Sequence, residues 1–171
     1  CDFAGRAAYG HATARRRFGK RGTGIAGTKS MIHLVNETAA DVDEVEWLYD
    51  LAFAPGRQAL SSYRLRDGVA PTPELCVTAR DDLNVLAAAI RYWPVKLGDA
   101  AVLLLGPVAV HPTRQGEGLG GLLIGETLTR ARDLGWPAVL LVGDEPYYSR
   151  FGFKRAPLVR FPPPTNPARV L

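Results

Sequence analysis

The sequence predicts a mixed α/β domain, and three observations carry that prediction. A strand-like apolar run over residues 102–110 feeds a glycine-rich turn, and a helical pattern follows at once. Two short runs, 75–79 and 85–92, flank Asp81-Asp82 as the arms of a hairpin. Ahead of them Val42, Val45, Trp47, Leu48 and Leu51 form a helix face. At 171 residues the chain suits one domain with a sizeable core.

Composition narrows the class. Hydrophobic residues at 47% and charged residues at 22% are ordinary for a soluble globular protein. The net charge of +4 is unevenly placed: residues 1–30 hold seven Lys+Arg against one acid, and residues 31–171 hold fourteen against sixteen. The basic character belongs to the head, so the remainder carries no nucleic-acid footprint. That head also has Arg15-Arg16-Arg17, six of the eighteen glycines and no apolar periodicity. Residues 1–30 are therefore expected to be a disordered basic N-terminal extension, with the domain over 31–171. An arginine-rich targeting peptide is the alternative for the head. Cys1 and Cys76 make no disulfide framework, and no run of ~18 apolar residues could cross a membrane. A cytoplasmic protein with neither membrane nor nucleic acid as partner is expected.

The elements follow in order. Residues 31–37 read as a short strand. Thr38-Ala39-Ala40-Asp41 resembles a capping box ahead of the first helix, with Asp in the usual Glu or Gln position. Pro55-Gly56 ends that helix, a second is expected over 57–66, and 68–73 is a loop. The hairpin follows, and Gly98-Asp99 turns the chain into the long strand 101–110. Gly106-Pro107 lies inside that strand. Proline cannot donate to a ladder, so it predicts an interruption or bulge, or marks an edge strand. A strand that splays from its neighbour leaves N–H and C=O groups open to an extended amide ligand. Leu119, Leu123, Ile124, Leu128 and Ala131 fit one helix face, and Gly135 with Pro137 stops that helix. Residues 138–142 read as a buried strand. Phe153 is expected to begin another, and the chain stops at Leu171 about where a last strand would begin.

The glycine loop carries the chemistry. A helix start leaves N–H groups without partners and adds the positive end of the macrodipole, and glycines let a phosphate reach the backbone. A phosphate-binding P-loop fails, because no lysine follows these glycines. A dinucleotide fingerprint is met by Gly116, Gly118 and Gly121, with Asp144 at 23 residues beyond, but only 27 residues then remain. A loop that merely turns the chain is the bland reading. The third pattern, Q-x-x-G-x-G, is met by Gln115, Gly118 and Gly120.

With Val108-Ala109-Val110, Pro112 and Tyr148-x-x-x-Gly152-Phe153, that pattern resembles the coenzyme A site of the GNAT superfamily of N-acetyltransferases, over roughly residues 32–160. Gly143-Asp144-x-Pro146-Tyr147-Tyr148 and Leu104-Leu105-Gly106-Pro107 look like a bacterial subgroup of it; His111 departs from the Asp often found there. The resemblance implies the acyl-CoA N-acyltransferase fold: a central, mostly antiparallel mixed sheet flanked by helices. It implies acetyl-CoA as co-substrate, a primary amine as acceptor attacking directly in a ternary complex, no metal, and leaves a homodimer open. Coenzyme binding falls on Val108, Ala109, Val110, Gln115, Gly116, Glu117, Gly118, Leu119, Gly120 and Gly121. The N–H near Ala109 would polarise the thioester carbonyl. Tyr148 would give a proton to the departing thiolate, whereas Tyr147 reads as packing.

Other readings are weaker. Cys76 reads as core, His11, His33 and His111 lack metal-ligand spacing, and His111 is a candidate base. Arg57, Arg64 and Glu74 could face the acceptor. An acyl-CoA-binding sensor and a nucleotide-dependent oxidoreductase are the alternative functions.

Overall fold

The computed structural model describes residues 30–171. Five strands form one sheet in the order β1-β2-β3-β4-β5. They are β1 (His33–Asn36), β2 (Val77–Arg80), β3 (Leu86–Leu97), β4 (Ala100–Val110) and β5 (Val139–Leu140). The first four pair antiparallel and β5 joins β4 in parallel. The expectations for residues 1–29 lie outside the described residues. Among the described residues no helix is long and apolar enough to cross a membrane.

Period-2 alternation on β3 sorts side chains onto two faces. Ala88, Ile90 and Tyr92 pack with Leu123, Ile124 and Ala131 of α3 (Leu119–Asp133). Ala89 faces the other way, against Val45, Leu48 and Tyr49 of α1 (Val42–Phe53). The face of α1 therefore differs from the sequence expectation. Tyr49 is fully buried, while Val42, Trp47 and Leu51 are exposed. Asp41 anchors the start of this helix, accepting from the Thr38 N–H at 2.8 Å and the Thr38 hydroxyl at 2.7 Å.

The second helix is broken. A 3-10 turn, Pro55–Ala59, is followed by α2 (Ser61–Arg64), which covers only part of 57–66. The hairpin lies where expected. Its turn is closed by the Asp81 carboxylate, which accepts from the N–H groups of Leu83 and Val85 at 3.0 Å each.

The bulge expected at Gly106-Pro107 is present. Ile90 pairs with Val108 and Tyr92 with Leu105, so β4 spends three steps where β3 spends two. The extra residue flips the face alternation. Leu103 and Leu105 share the α3 face, and beyond the bulge so do Val108 and Val110.

Phe153 does not begin a strand; it is buried in irregular chain. The segment beyond it contains Pro157, Pro162, Pro163, Pro164 and Pro167, none of which can donate to a ladder. Strand-like pairing returns only at the end, where Leu141 and Leu171 exchange N–H···O bonds of 3.0 Å each and Gly143 donates to the Arg169 carbonyl at 2.9 Å.

Candidate active site

The β4–β5 ladder is short. It pairs Leu103 with Val139 and Leu104 with Leu140, and β4 then runs on without β5 for six more residues. A cavity of about 380 Å³ fills the splay, lined in part by Gly106, Pro107, Val108, Gly143, Tyr147 and Tyr148. Strand geometry fixes which backbone groups face it. The His111 N–H donates to Ala87 of the β2–β3 side at 2.8 Å, so His111 points toward β3. By alternation Ala109 also points toward β3, opposite Ala89, while the peptides of Val110 and Val108 point to the open edge. The Ala109 N–H is thus committed to the sheet, and the open donors beside the bulge belong to Val108 and Val110.

The glycine loop meets this edge. A 3-10 turn, Pro112–Arg114, leads through exposed Gln115, Gly116 and Glu117 to Gly118, the N-cap of α3. Gly116 and Gly118 have φ of 83° and 81°, the left-handed region where a Cβ is costly. The first helical bond runs from the Leu122 N–H to the Gly118 carbonyl at 3.0 Å, so the N–H groups of the preceding turn have no partner in the helix. Leu119 turns its side chain into the core. A Cβ on Gly120 would lie 3.2 Å from the Tyr147 hydroxyl and 3.5 Å from a γ-carbon of Val110, so the helix start, the open strand edge and Tyr147 converge there. A Cβ on Gly121 would meet the Phe151 ring at 3.5 Å. Arg114 ties the loop down, donating to Glu117 at 2.9 Å and to Asp81 of the hairpin at 3.2 Å.

Tyr147 and Tyr148 come from the short α4 (Glu145–Tyr148). Tyr148 lies over Gly143 and meets Phe153 edge-on, with ring centroids 6.0 Å apart. Burial, reinforced by Tyr147 and Asp144, pushes its hydroxyl up to about 12, so it is protonated at neutral pH. Tyr147 is 39% exposed; its ring meets Tyr148 edge-on at 4.9 Å between centroids, and Arg150 stacks 3.9 Å from its centre.

Several other candidates sit elsewhere. His111 is outside the cavity lining; its Nδ1 is 2.8 Å from the Thr113 hydroxyl and its ring stacks on Trp47. Cys76 is buried, its thiol pushed up to about 11 by desolvation. Glu74 and Arg64 are exposed. Arg57 is buried and does line the cavity. Among the described residues no group of three or more His, Cys, Asp or Glu could hold a metal ion.

The sequence reading passed over Arg66. Its guanidinium carbon lies 4.2 Å from the Tyr63 ring centre and 4.4 Å from that of Trp93. Tyr63 is a local neighbour, but Trp93 lies 27 positions away in the sequence, so no local spacing pointed to the pair.

The acetyltransferase (GNAT) family model matches residues 42–153. The uncharacterized N-acetyltransferase YhbS of Escherichia coli K12 is 30% identical over 122 residues, spanning 70% of this chain and 72% of that protein. A GNAT family acetyltransferase from Brucella melitensis, solved in complex with acetyl-CoA, superposes with a TM-score of 0.63 at 32% identity, covering 79% of this chain and 93% of that one. YhbS from Escherichia coli, solved in complex with CoA, gives a TM-score of 0.68 at 26% identity, covering 87% and 83%. The chain therefore belongs to the GNAT family of acetyltransferases.

Proposed function

We propose that the chain transfers the acetyl group of acetyl-CoA to a primary amine by direct attack in a ternary complex. The observation that carries this reading is the meeting at Gly120 of the open β4 edge and the unpartnered start of α3. The solved relatives from Brucella melitensis and Escherichia coli, complexed with acetyl-CoA and with CoA, support it.

The coenzyme supplies an activated thioester, and each part of the site has a task. The N–H groups of residues 115–121, from Gln115 through Gly116, Glu117, Gly118, Leu119 and Gly120 to Gly121, hold the diphosphate at the positive end of α3. The outward peptides of Val108 and Val110 pair with the pantetheine amides as a missing strand would. The Val108 N–H beside the bulge is the donor placed to polarise the thioester carbonyl; Ala109 serves by fixing that orientation through β3. The amine nitrogen bonds to the carbonyl carbon, the C–S bond breaks, and the sulfur takes the Tyr148 hydroxyl proton. The ammonium proton leaves to water, which restores Tyr148.

Thermal-shift measurement tests the reading. Acetyl-CoA and CoA should each raise the melting temperature, and NAD(P) should not. Stabilisation by NAD(P) alone would favour a nucleotide-dependent oxidoreductase. A screen of amines following thiol release then separates an enzyme from a coenzyme-binding sensor.

A further inference from the structure

A second cavity, of about 250 Å³, adjoins the first on the α1 side of the sheet. Arg57, Tyr63, Arg66 and Pro107 line both, so the two spaces meet beside the β4 bulge. Three arginines reach this second cavity, and their ionic partners differ. Arg91 grips Glu37 with two donors at 2.8 and 2.6 Å and also bonds Glu46. Arg57 donates to Asp50 at 2.8 Å, to the Tyr63 hydroxyl at 2.6 Å and to Glu46 at 2.5 Å. Both Glu46 oxygens are thereby committed, each to a different arginine.

Arg66 has no such partner. Among the described residues no carboxylate lies within ion-pair distance of it, and its Nε and Nη1 are buried with no hydrogen-bond partner. Tyr63 and Trp93 stack on it and displace water from its faces. Two buried guanidinium donors without acceptors are costly unless something supplies them. Arginine's planar fork matches a carboxylate with two parallel N–H···O bonds along its Nε/Nη2 or its Nη1/Nη2 edge, and each edge contains one of these donors. Asp67, at the exposed rim, is the one lining carboxylate outside the ion-pair network among the described residues.

We propose that this cavity is a carboxylate subsite for the acceptor, anchored by Arg66, so that the acceptor amine is an amino acid or a molecule pairing amine and carboxylate in the same way. The inference rests on the acetyltransferase reading. The carboxylate docks on Arg66 between Tyr63 and Trp93, and the amine reaches past Pro107 into the splay where Tyr148 stands.

The test offers acetyl-CoA with a panel of L-amino acids, each set against its carboxamide and its decarboxylated amine, and follows thiol release. The free acids should win by ~10–100-fold in kcat/KM, the worth of a charge-assisted bidentate contact. In Arg66→Gln that preference should collapse toward unity, and Arg66→Lys should keep part of it. A CoA-induced rise in melting temperature in each variant shows that it is folded. Binding of the same panel to the CoA-loaded protein, by calorimetry, gives a readout that does not need turnover. Carboxamides or diamines preferred over acids, or no Arg66-dependent preference in either rate or binding, overturns the proposal. Absence of any acetyl-CoA binding would instead overturn the acetyltransferase reading beneath it.

Discussion

Replacing Gly143 with alanine perturbs Tyr148 without altering the tyrosine itself. The new methyl carbon would stand 2.3 Å from Cε2 and 2.7 Å from Cδ2 of Tyr148, and 2.9 Å from a δ-carbon of Leu141. Non-bonded carbons settle at about 3.5–4.0 Å, so the ring must retreat by roughly 1.2 Å or more. Gly143 has no positive φ, so the effect is one of space rather than backbone strain. Overpacking of this kind costs about 1–3 kcal/mol. For a chain of this size that is a fall in Tm of roughly 2–12 °C. Misplacing a catalytic group by about 1 Å can cost on the order of 10²-fold, so kcat should drop by about that factor. Coenzyme affinity should change far less, because the glycine loop and the β4 edge are untouched. The assay is thiol release at saturating acetyl-CoA with the best amine of the screen, beside a melting curve and a coenzyme titration. If both kcat and Tm matched the parent, the placement of Tyr148 over Gly143 would be refuted.

Four further outcomes are expected. Gly118→Val puts a β-branched residue at φ 81°, at the N-cap where the diphosphate would approach, and should weaken coenzyme binding at least tenfold, about 1.4 kcal/mol; unchanged affinity in a titration would move the diphosphate elsewhere. Tyr148→Phe keeps the ring and removes the proton, so kcat should fall by on the order of 10²–10⁴ while coenzyme Kd holds. Tyr147→Phe should act on coenzyme affinity instead, since that hydroxyl sits at the start of α3; the reverse assignment would mean that the two tyrosines exchange roles. Because Tyr148 is raised to about 12, its donor form persists at every lower pH, so a kcat profile should show no falling limb up to pH about 10. A descending limb near pH 8 would point to another acid.

Local patterns carried much of the fold into the sequence. The hairpin was legible because Asp81 builds its turn from its own neighbours, and the bulge because a proline cannot donate inside a ladder. The start of α3 was legible because its glycines mark positions where backbone, not side chain, faces outward. What was misread depended on packing. Trp47 and Leu51 satisfy helical spacing but lie off the buried face, which Tyr49 shares instead. The strand expected at Phe153 lost its place to residues 169–171, because a proline-rich segment cannot supply the ladder's donors. The peptide orientation of Ala109 follows from register, which the sequence does not print. Arg66 was missed because its aromatic partners are brought together only by the sheet and the turn after α2.

In the proposed reaction an amine takes the acetyl group directly from the coenzyme. It is tested by quantifying thiol and N-acetyl product in one reaction while the intact mass of the protein is followed. Direct transfer should give one N-acetylated amine per thiol and no acetylated protein when the amine is omitted, in keeping with a Cys76 thiol buried and held at about 11. An acetyl-protein adduct that forms without amine and is then discharged by it, or thiol released without any N-acetyl product, would rule out direct transfer.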